Sequence, residues 1–536
     1  MKKRVLAALI SAAMVMGIVS GCGSSADTTS EDQVASSETE TSGEATKGGE
    51  DLTLKIMLGI RDVDSLIDVS EMPAVQRLEE QTGINIEWEV VKGSDWETKL
   101  NLMFASGDYP DIIIANTVSV DYEEYGVTQG LLKTLNDDLT SQYMPNYTAR
   151  REAEEADPTT SLIASDGNKY AIGYLVGQNI NTNQHYFINN TWLDNLGLET
   201  PTNVDELTDV LRTFKSEDAD GDGDTTNEIP LEMGLDTGFY GIRYILPMFG
   251  VPVDSDRWIF IDDNKNVVFA PTTENFRQCM EWLHTCYEEG LVDAEVISQD
   301  INTIETKLKA GNVGFFAAWR LIAMGFDDSV MKTCTLYTPD SSAKFARILE
   351  VAKGGAYLTV TNEHVEDSLR LLDAMLDTEM MFSLYYGEQD ATDGTGWTYN
   401  ENGKIDSLND GTADVKNYID CNTMFFAPAT YIYDNFNMPA QRVEKTEYCQ
   451  IYDDAGIIQK YSNDYFKFAP LTSEQLQSIT LKETDINNAV VENVASFITN
   501  GVTDQTWDQF VAIFDGMDTD SYVQIYQDAI NTMDME

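Results

Sequence analysis

The stretch LTLKIMLGIRDVDSLIDVSEMPAVQRLEEQTGINIEWEVVKGSDWETKLNLMFASGDYPDIIIA, residues 52–115, decides the fold. Leu52, Leu54, Ile56 and Leu58 alternate with polar or less apolar residues, the period-2 pattern of a strand with one buried face. Pro73 opens a helix, with Val75 and Leu78 on one face and Gly83 as its stop. Ile84, Ile86, Trp88 and Val90 then alternate again. Ser94 and Glu97 have the spacing of a capping box for a helix that carries Leu100, Met103 and Phe104. Gly107-Asp108-Tyr109-Pro110 is a turn, and Ile112-Ile113-Ile114-Ala115 is an unbroken apolar run, as in a strand buried on both faces. The order β-α-β-α-β predicts a parallel sheet with right-handed crossovers.

The pattern resumes farther along. Tyr170-Ala171-Ile172 reads as a strand that leads into a helical region and a second set of alternations. Val313 to Phe316 and Gly354 to Val360 read as further strands, and Asp367 to Phe382 and Ile486 to Ile498 carry helical periodicity. The chain of 536 residues is too long for one small domain, and 42% apolar content suffices for a sizeable core. Its net charge of −57 argues against DNA, RNA and anionic lipid headgroups as partners, because each demands a positive footprint. Three His residues make a His-rich transition-metal site unexpected.

Lys2-Lys3-Arg4 precede a largely apolar run from Val5 to Val19. As a helix that run is roughly 22 Å long, short of the ~30 Å hydrocarbon core, so it reads as a secretory signal rather than a spanning helix. It ends in Val19-Ser20-Gly21-Cys22, which resembles the lipobox of bacterial lipoproteins. Small residues there fit a peptidase cleft, and the Cys22 thiol is the nucleophile that accepts a diacylglycerol. Residues 1–21 are therefore expected to be a lipoprotein signal peptide, with lipid (including palmitate) on Cys22. Residues 23–51 contain no aromatic residue and one branched aliphatic, Val34, too little to offset ordering entropy. Residues 22–51 are expected to form a disordered tether spanning ~30 Å.

The segment FASGDYPDIIIAN, Phe104 to Asn116, resembles the second crossover of bacterial extracellular solute-binding proteins of family 1, the substrate-capture subunits of ABC importers. DGNKYAIGY (166–174), YFINNTWLDNLGLETPTNVDELTDVLRTFK (186–215), NKNVVFAPTTENFRQCMEWLHTCYEEGLVDAE (264–295) and KAGNVGFFAAW (309–319) continue the resemblance in order, and the end from Trp507 to Met533 is similar to the closing helices of lipoprotein members. The resemblance covers residues 52–536. It implies an α/β, two-lobe, periplasmic-binding-protein-like fold of type II, with a hinge, an interlobe cleft and a helical C-terminal part. Lobe 1 is expected over about 52–168 plus a later returning segment. Lobe 2 is expected over about 169–310 plus much of the C-terminal half. The implied function is capture of a sugar or oligosaccharide by hinge closure, without chemistry. The implied setting is the outer face of the cell membrane, on a monomer whose partners are ABC-transporter permease subunits and whose only membrane contact is the lipid anchor. A peptide or other non-sugar ligand on the same scaffold is the alternative, and a surface glycan-degrading enzyme a third reading.

One local pattern carries its own chemistry. Asp218, Asp220 and Asp222 occupy positions 1, 3 and 5 of an acidic loop, Gly223 position 6, and Asp224 position 7, where a backbone carbonyl can serve. Hard cations such as Ca²⁺ take six to eight oxygens, and alternating Asp in a tight turn supplies them. Glu228 stands at position 11, whereas an EF-hand places its bidentate Glu at 12, here Ile229. The loop resembles the calcium loop of lipoprotein solute-binding proteins, with one extra residue before Asn227-Glu228 that leaves the role of Asn227 open. Asp218, Asp220, Asp222, Asp224, Asn227 and Glu228 are the expected set for a structural Ca²⁺ or another hard cation.

Sugar clefts combine aromatic rings with a few polar groups. Trp88 and Trp282 sit on apolar faces and Trp192 opens a helix, and all three read as core. Arg61, Asp108, Tyr240, Trp319, Arg320 and Trp397 are the candidate ligand residues. Arg61 follows the first strand, where open α/β sheets place ligands, and Trp319-Arg320 follow another strand. Asp108, Tyr240 and Trp397 are placed on loops. Cys279, Cys286, Cys334, Cys421 and Cys449 form no CxxC and read as buried thiols. No G-x-S-x-G, H-E-x-x-H or P-loop occurs, so no enzyme is expected.

Overall fold

The computed structural model describes residues 52–62, 68–115, 117–153, 158–174, 182–319, 321, 333–349, 353–408, 435–437, 440–467, 469–533 and 535. The signal, Cys22, the tether, Arg320 and Cys421 lie outside them. Thr53–Ile60 is β1, Pro73–Thr82 α1, Asn85–Lys92 β2, Gly93–Ser106 α2 and Ile112–Ile114 β3. β1 pairs in parallel with both β2 and β3, as the alternation predicts, with Ile56 opposite Trp88 and Ile112. Gly83 stops α1 in the left-handed conformation at φ 69°, its N–H on the Glu79 carbonyl. The capping box expected at Ser94 does not form. The Ser94 N–H instead donates to Asp62 Oδ1 (3.1 Å), so the residue after Arg61 caps α2 from the end of β1. The Ser94 side chain, and then that bond, hold the Asp62 carboxyl below its usual range.

Asp137–Tyr143 is α3, Pro145–Glu152 α4 and Ile172–Tyr174 β4. β4 lies at one edge of the first sheet. Between β3 and β4 runs a strand from far downstream, antiparallel to both. One apolar core fills this body, from Leu54 through Ile172 and again from Ala356 to Leu384.

A second sheet has its own core. His185–Asn189 is β5, Asn190–Leu196 α5, Val204–Ser216 α6, Ile229–Glu232 β6, Ile259–Ile261 β7, Val267–Phe269 β8, Glu274–Glu288 α7, Ile301–Lys309 α8, Val313–Ala318 β9 and Cys334–Tyr337 β10. The sheet runs β10-β5-β9-β6, while β7 and β8 form a separate hairpin. β6 and β9 are parallel, and β5 is antiparallel to β9. The strand that returns to the first sheet is β11, Lys353–Leu358. Val365–Ala374 and Thr378–Tyr386 follow as α9 and α10, so the helical pattern from Asp367 to Phe382 breaks. The break is set by Asp377, whose side chain caps α10 at the Met380 N–H. Trp397–Tyr399 (β12) and Ile405–Ser407 (β13) pair as a small hairpin.

Ala440–Asp454 (α11), Ser473–Asn500 (α12), Asp504–Gly516 (α13) and Thr519–Ile530 (α14) end the chain. Phe497, Phe510, Phe514 and Tyr526 share the second core with Phe214 and Phe276. Cys279, Cys286 and Cys449 are buried and Cys334 half-buried, all as free thiols.

Candidate functional site

Two places concentrate chemistry. The first is the acidic loop between α6 and β6. Gly221 and Gly223 have φ of 81° and 92°, a conformation that glycine alone adopts without cost. The turn they allow folds the loop over Asp218, whose two carboxylate oxygens accept the Gly221 N–H (3.0 Å) and the Gly223 N–H (3.1 Å). Carboxylate oxygens of Asp218, Asp220 and Glu228 all lie within 4.8 Å of one another. Glu228 is 4% exposed. Its Oε1 accepts the Ala219 N–H (3.1 Å). Its Oε2 is shielded from solvent and meets no partner, and neither does Asn227 Oδ1. Burial, then the charges of Asp220 and Asp218, push the Glu228 carboxyl above its usual range. Converging acids with orphaned inward oxygens fit a hard cation.

The expected ligand set is only partly gathered. Asp222 accepts the Asp224 N–H (2.7 Å) and Asn227 Nδ2 (2.8 Å). Asp224 accepts the Thr226 N–H (3.0 Å) and hydroxyl (2.6 Å), which hold its carboxyl below the usual range. Both are occupied by the loop's own turn, outside the three-carboxylate group. Asn227 is placed by its amide bond to Asp222, which leaves its oxygen free of protein donors.

The second place is one edge of the second sheet. Because β6 and β9 are parallel, their C-terminal ends share that edge. His185, opposite Ala318, starts β5 there. Trp319 stands just beyond β9 and is half-buried. Its Nε1 donates to Asn183 Oδ1 (2.6 Å). The Lys445 ammonium lies 4.4 Å from its ring centroid and also donates to Asn183. His185 is buried, and burial plus Lys445 push its pKa down to about 3, so the ring is neutral. Its Nδ1 lies 3.1 Å from the Trp319 carbonyl, which only accepts, so the proton sits on Nδ1. Asn183 and Lys445 carry no local motif, and periodicity had no means of finding them.

The other candidates separate. Arg61 is exposed at the C-terminal end of β1, the ligand-binding edge of an open sheet. Asp108 is exposed but precedes β3, so it lies at the opposite edge of the first sheet from Arg61. Tyr240 is fully buried in a cluster with Phe187, Ile304 and Phe316, because the loop carrying it folds back beneath α8. Trp397 is 1% exposed among Met381, Phe382, Ile405 and Phe436, its Nε1 on Ser383 Oγ (3.1 Å). Tyr240 and Trp397 are thus core residues, contrary to the sequence expectation. Trp397→Ala is expected to cost about 3–5 kcal/mol of stability and to leave ligand affinity unchanged, read by denaturant melts beside calorimetry.

Glu232 ends β6 on the same edge as Trp319 and is fully buried. Its Oε1 accepts Gln299 Nε2 (2.6 Å). Lys307 bonds Asp293, Glu295 and Gln299, each at 2.8 Å. Burial, then the Asp293 charge, push Glu232 up to about 8 from its ordinary 4.5. The native state therefore holds a proton that the unfolded chain releases between those values. Stability from this group is complete below pH 4.5 and is lost as pH rises through about 8. The loss is expected to be on the order of 2–4 kcal/mol. Glu232→Gln should flatten that slope in melts from pH 5 to 9, and an unchanged slope would show that Glu232 does not titrate there.

The family model for bacterial extracellular solute-binding proteins matches residues 64–330. The chain belongs to this family. A curated relative, the fructooligosaccharide ABC transporter substrate-binding protein FusA of Streptococcus pneumoniae serotype 4, is 26% identical over 511 residues, 89% of each chain. A solved EF-hand mutant of the S. pneumoniae protein, in complex with fructo-nystose, is 22% identical and superposes with a TM-score of 0.69, covering 89% of this chain and 99% of that one. A solute-binding protein from Bifidobacterium longum subsp. infantis superposes with a TM-score of 0.77 at 19% identity, covering 90% and 98%. The solute-binding protein therefore has the two-lobe type II fold. Among the described residues no helix is long and apolar enough to cross a membrane.

Proposed function

We propose that this solute-binding protein captures a neutral oligosaccharide outside the cell and delivers it to an ABC-transporter permease by hinge closure, without altering it. The observation that carries this reading is the half-buried Trp319 indole at the shared strand end of one lobe, held by Asn183 and Lys445. Such a rigid ring suits the apolar face of a sugar. The relative along 89% of the chain being a fructooligosaccharide receptor supports the same class. Lobe 1 on this reading extends through β4 and regains β11, and lobe 2 holds β5 to β10 and the closing helices. Arg61 faces the cleft from lobe 1. The protein is a monomer held to the membrane only by lipid on Cys22.

The acidic loop holds Ca²⁺ on this reading, through Asp218, Asp220, Glu228 and the Asn227 oxygen. The ion would neutralise the cluster and pin the loop that enters β6, a structural role.

A thermal-shift panel of fructooligosaccharides, other neutral oligosaccharides, uronic-acid oligosaccharides and peptides tests the reading. A neutral sugar is expected to raise Tm, since binding adds RT ln(1 + [L]/Kd), with no new reducing ends. A shift from peptides alone, or release of reducing ends, would replace the sugar-receptor reading.

A further inference from the structure

Asn183 and Gln184, successive residues just before β5, each tie another part of the chain to the same sheet edge. Asn183 accepts the Trp319 indole N–H. Gln184 is buried. Its Nε2 donates to the Arg243 carbonyl (2.9 Å) and the Val253 carbonyl (3.2 Å), and its Oε1 accepts the Ala346 N–H (2.9 Å). The residue after Val253 is Asp254, so Trp319 and Asp254 are joined to the edge through one dipeptide. Asp254 is exposed to solvent. Desolvation by the protein around it, then the Asp464 charge, nevertheless push its carboxyl up to about 6 from its ordinary 3.8. An acid that is wetted on one side and desolvated on the others lies in a recess, not on a convex surface. Among the described residues its one hydrogen bond is a long one, from Asn463 Nδ2 to Oδ1 (3.4 Å), and the same amide donates more closely to the Pro252 carbonyl (2.6 Å). The nearby cations are committed elsewhere, Lys467 to Asp464 and Arg257 to Glu483. Asp254 therefore presents a charge without an ion pair and an acceptor oxygen, Oδ2, open to a ligand.

We propose that Asp254 sets the specificity of this edge, accepting a hydroxyl of a neutral sugar chain and barring anionic sugars, an inference that rests on the sugar-receptor reading above. A hydroxyl bound to a carboxylate makes a charge-assisted hydrogen bond, about twice as strong as a neutral one. The same charge repels a uronic-acid carboxylate, and in a desolvated recess water screens that repulsion poorly. The bound hydroxyl favours the ionised acid, so binding below about pH 6 must first release the Asp254 proton. Affinity should therefore rise as pH rises through about 6 and level off above it. The charged and titratable groups that face Asp254 are Asp464 and Lys467 from the segment after α11, Arg257 three residues on, and the Tyr244 hydroxyl from the turn before it. Asp254→Asn leaves all four in place.

Titration calorimetry on the whole protein, from pH 5 to 8 and with the strongest-binding neutral sugar of the panel, tests this. Asp254→Asn keeps the shape and an acceptor but not the charge, and should bind about fivefold more weakly at pH 7, with a flat pH profile. Asp254→Ala should lose about tenfold or more, and in both variants the preference for neutral over uronic-acid oligosaccharides should narrow by at least about fivefold. Thermal melts of the ligand-free variants report whether they fold, and the near-isosteric asparagine serves should the alanine variant not. If wild type binds no sugar, or binds only peptides, the receptor reading falls and this inference with it. If wild type binds a neutral sugar, three results overturn the inference alone. They are affinity of Asp254→Asn and Asp254→Ala within about twofold of wild type, a wild-type affinity that does not rise through pH 6, and a pH profile that persists in Asp254→Asn, which would mark a structural role.

Discussion

Trp319→Ala is expected to weaken oligosaccharide binding by about 30- to 1,000-fold, the 2–4 kcal/mol that a central aromatic anchor typically carries. The substitution removes the stacking face and leaves Asn183 and Lys445 without their indole. Trp319→Phe keeps a ring but not the Nε1 donor, so its loss should be smaller. Calorimetry against the strongest-binding sugar measures both. Affinity for the alanine variant within about threefold of wild type would remove Trp319 from the site. The ligand-free melting temperature should move little, because the ring is half-buried beyond the end of β9 rather than inside either core.

Removal of divalent metal should lower the melting temperature by several degrees. An ion that binds only the native loop adds about 2.7 kcal/mol at a hundredfold excess over its Kd and about 4.1 at a thousandfold. Without it, Asp218, Asp220 and Glu228 face one another with oxygens inside 4.8 Å. Glu228→Gln should melt lower than wild type in Ca²⁺ and lose its response to chelator, since it withdraws the buried acid of the set. Ca²⁺ should restore the wild type better than Mg²⁺, which demands six near-ideal octahedral ligands. An unchanged melt after metal removal confirmed by elemental analysis would show that no ion stabilises the fold. The same melts, repeated with ligand, report whether the loop and the sugar edge are linked through β6, which joins Glu228 to Glu232.

Much of the fold was readable along the chain because its cause is local. The alternation of Leu54, Ile56 and Leu58, the Pro73 start and the Gly83 stop all survive unchanged in β1 and α1. The acidic loop was equally readable, since its converging carboxylates come from eleven successive positions and a turn needs only its own glycines. Failures came where a partner is remote. The capping box at Ser94 lost to Asp62, which β1 delivers from 32 residues away. β11 reads as a strand, but its antiparallel slot between β3 and β4 has no local sign.

The ligand edge shows the division most clearly. Residue type and position after a strand singled out Trp319, and residue type with a loop position singled out Tyr240 and Trp397, which became core. A loop aromatic turns inward or outward according to what packs over it, and periodicity is silent on that. Asn183 is 136 residues from Trp319 and 262 from Lys445 in the chain, yet one oxygen serves both. By itself the sequence determined many of the strands and helices and the glycine-shaped acidic turn, all set by periodicity, spacing and charge within a few residues. Only the tertiary structure decided which candidate aromatics are buried in a core and which polar groups hold Trp319, because sheet pairing and the docking of α11 bring those groups together across the chain.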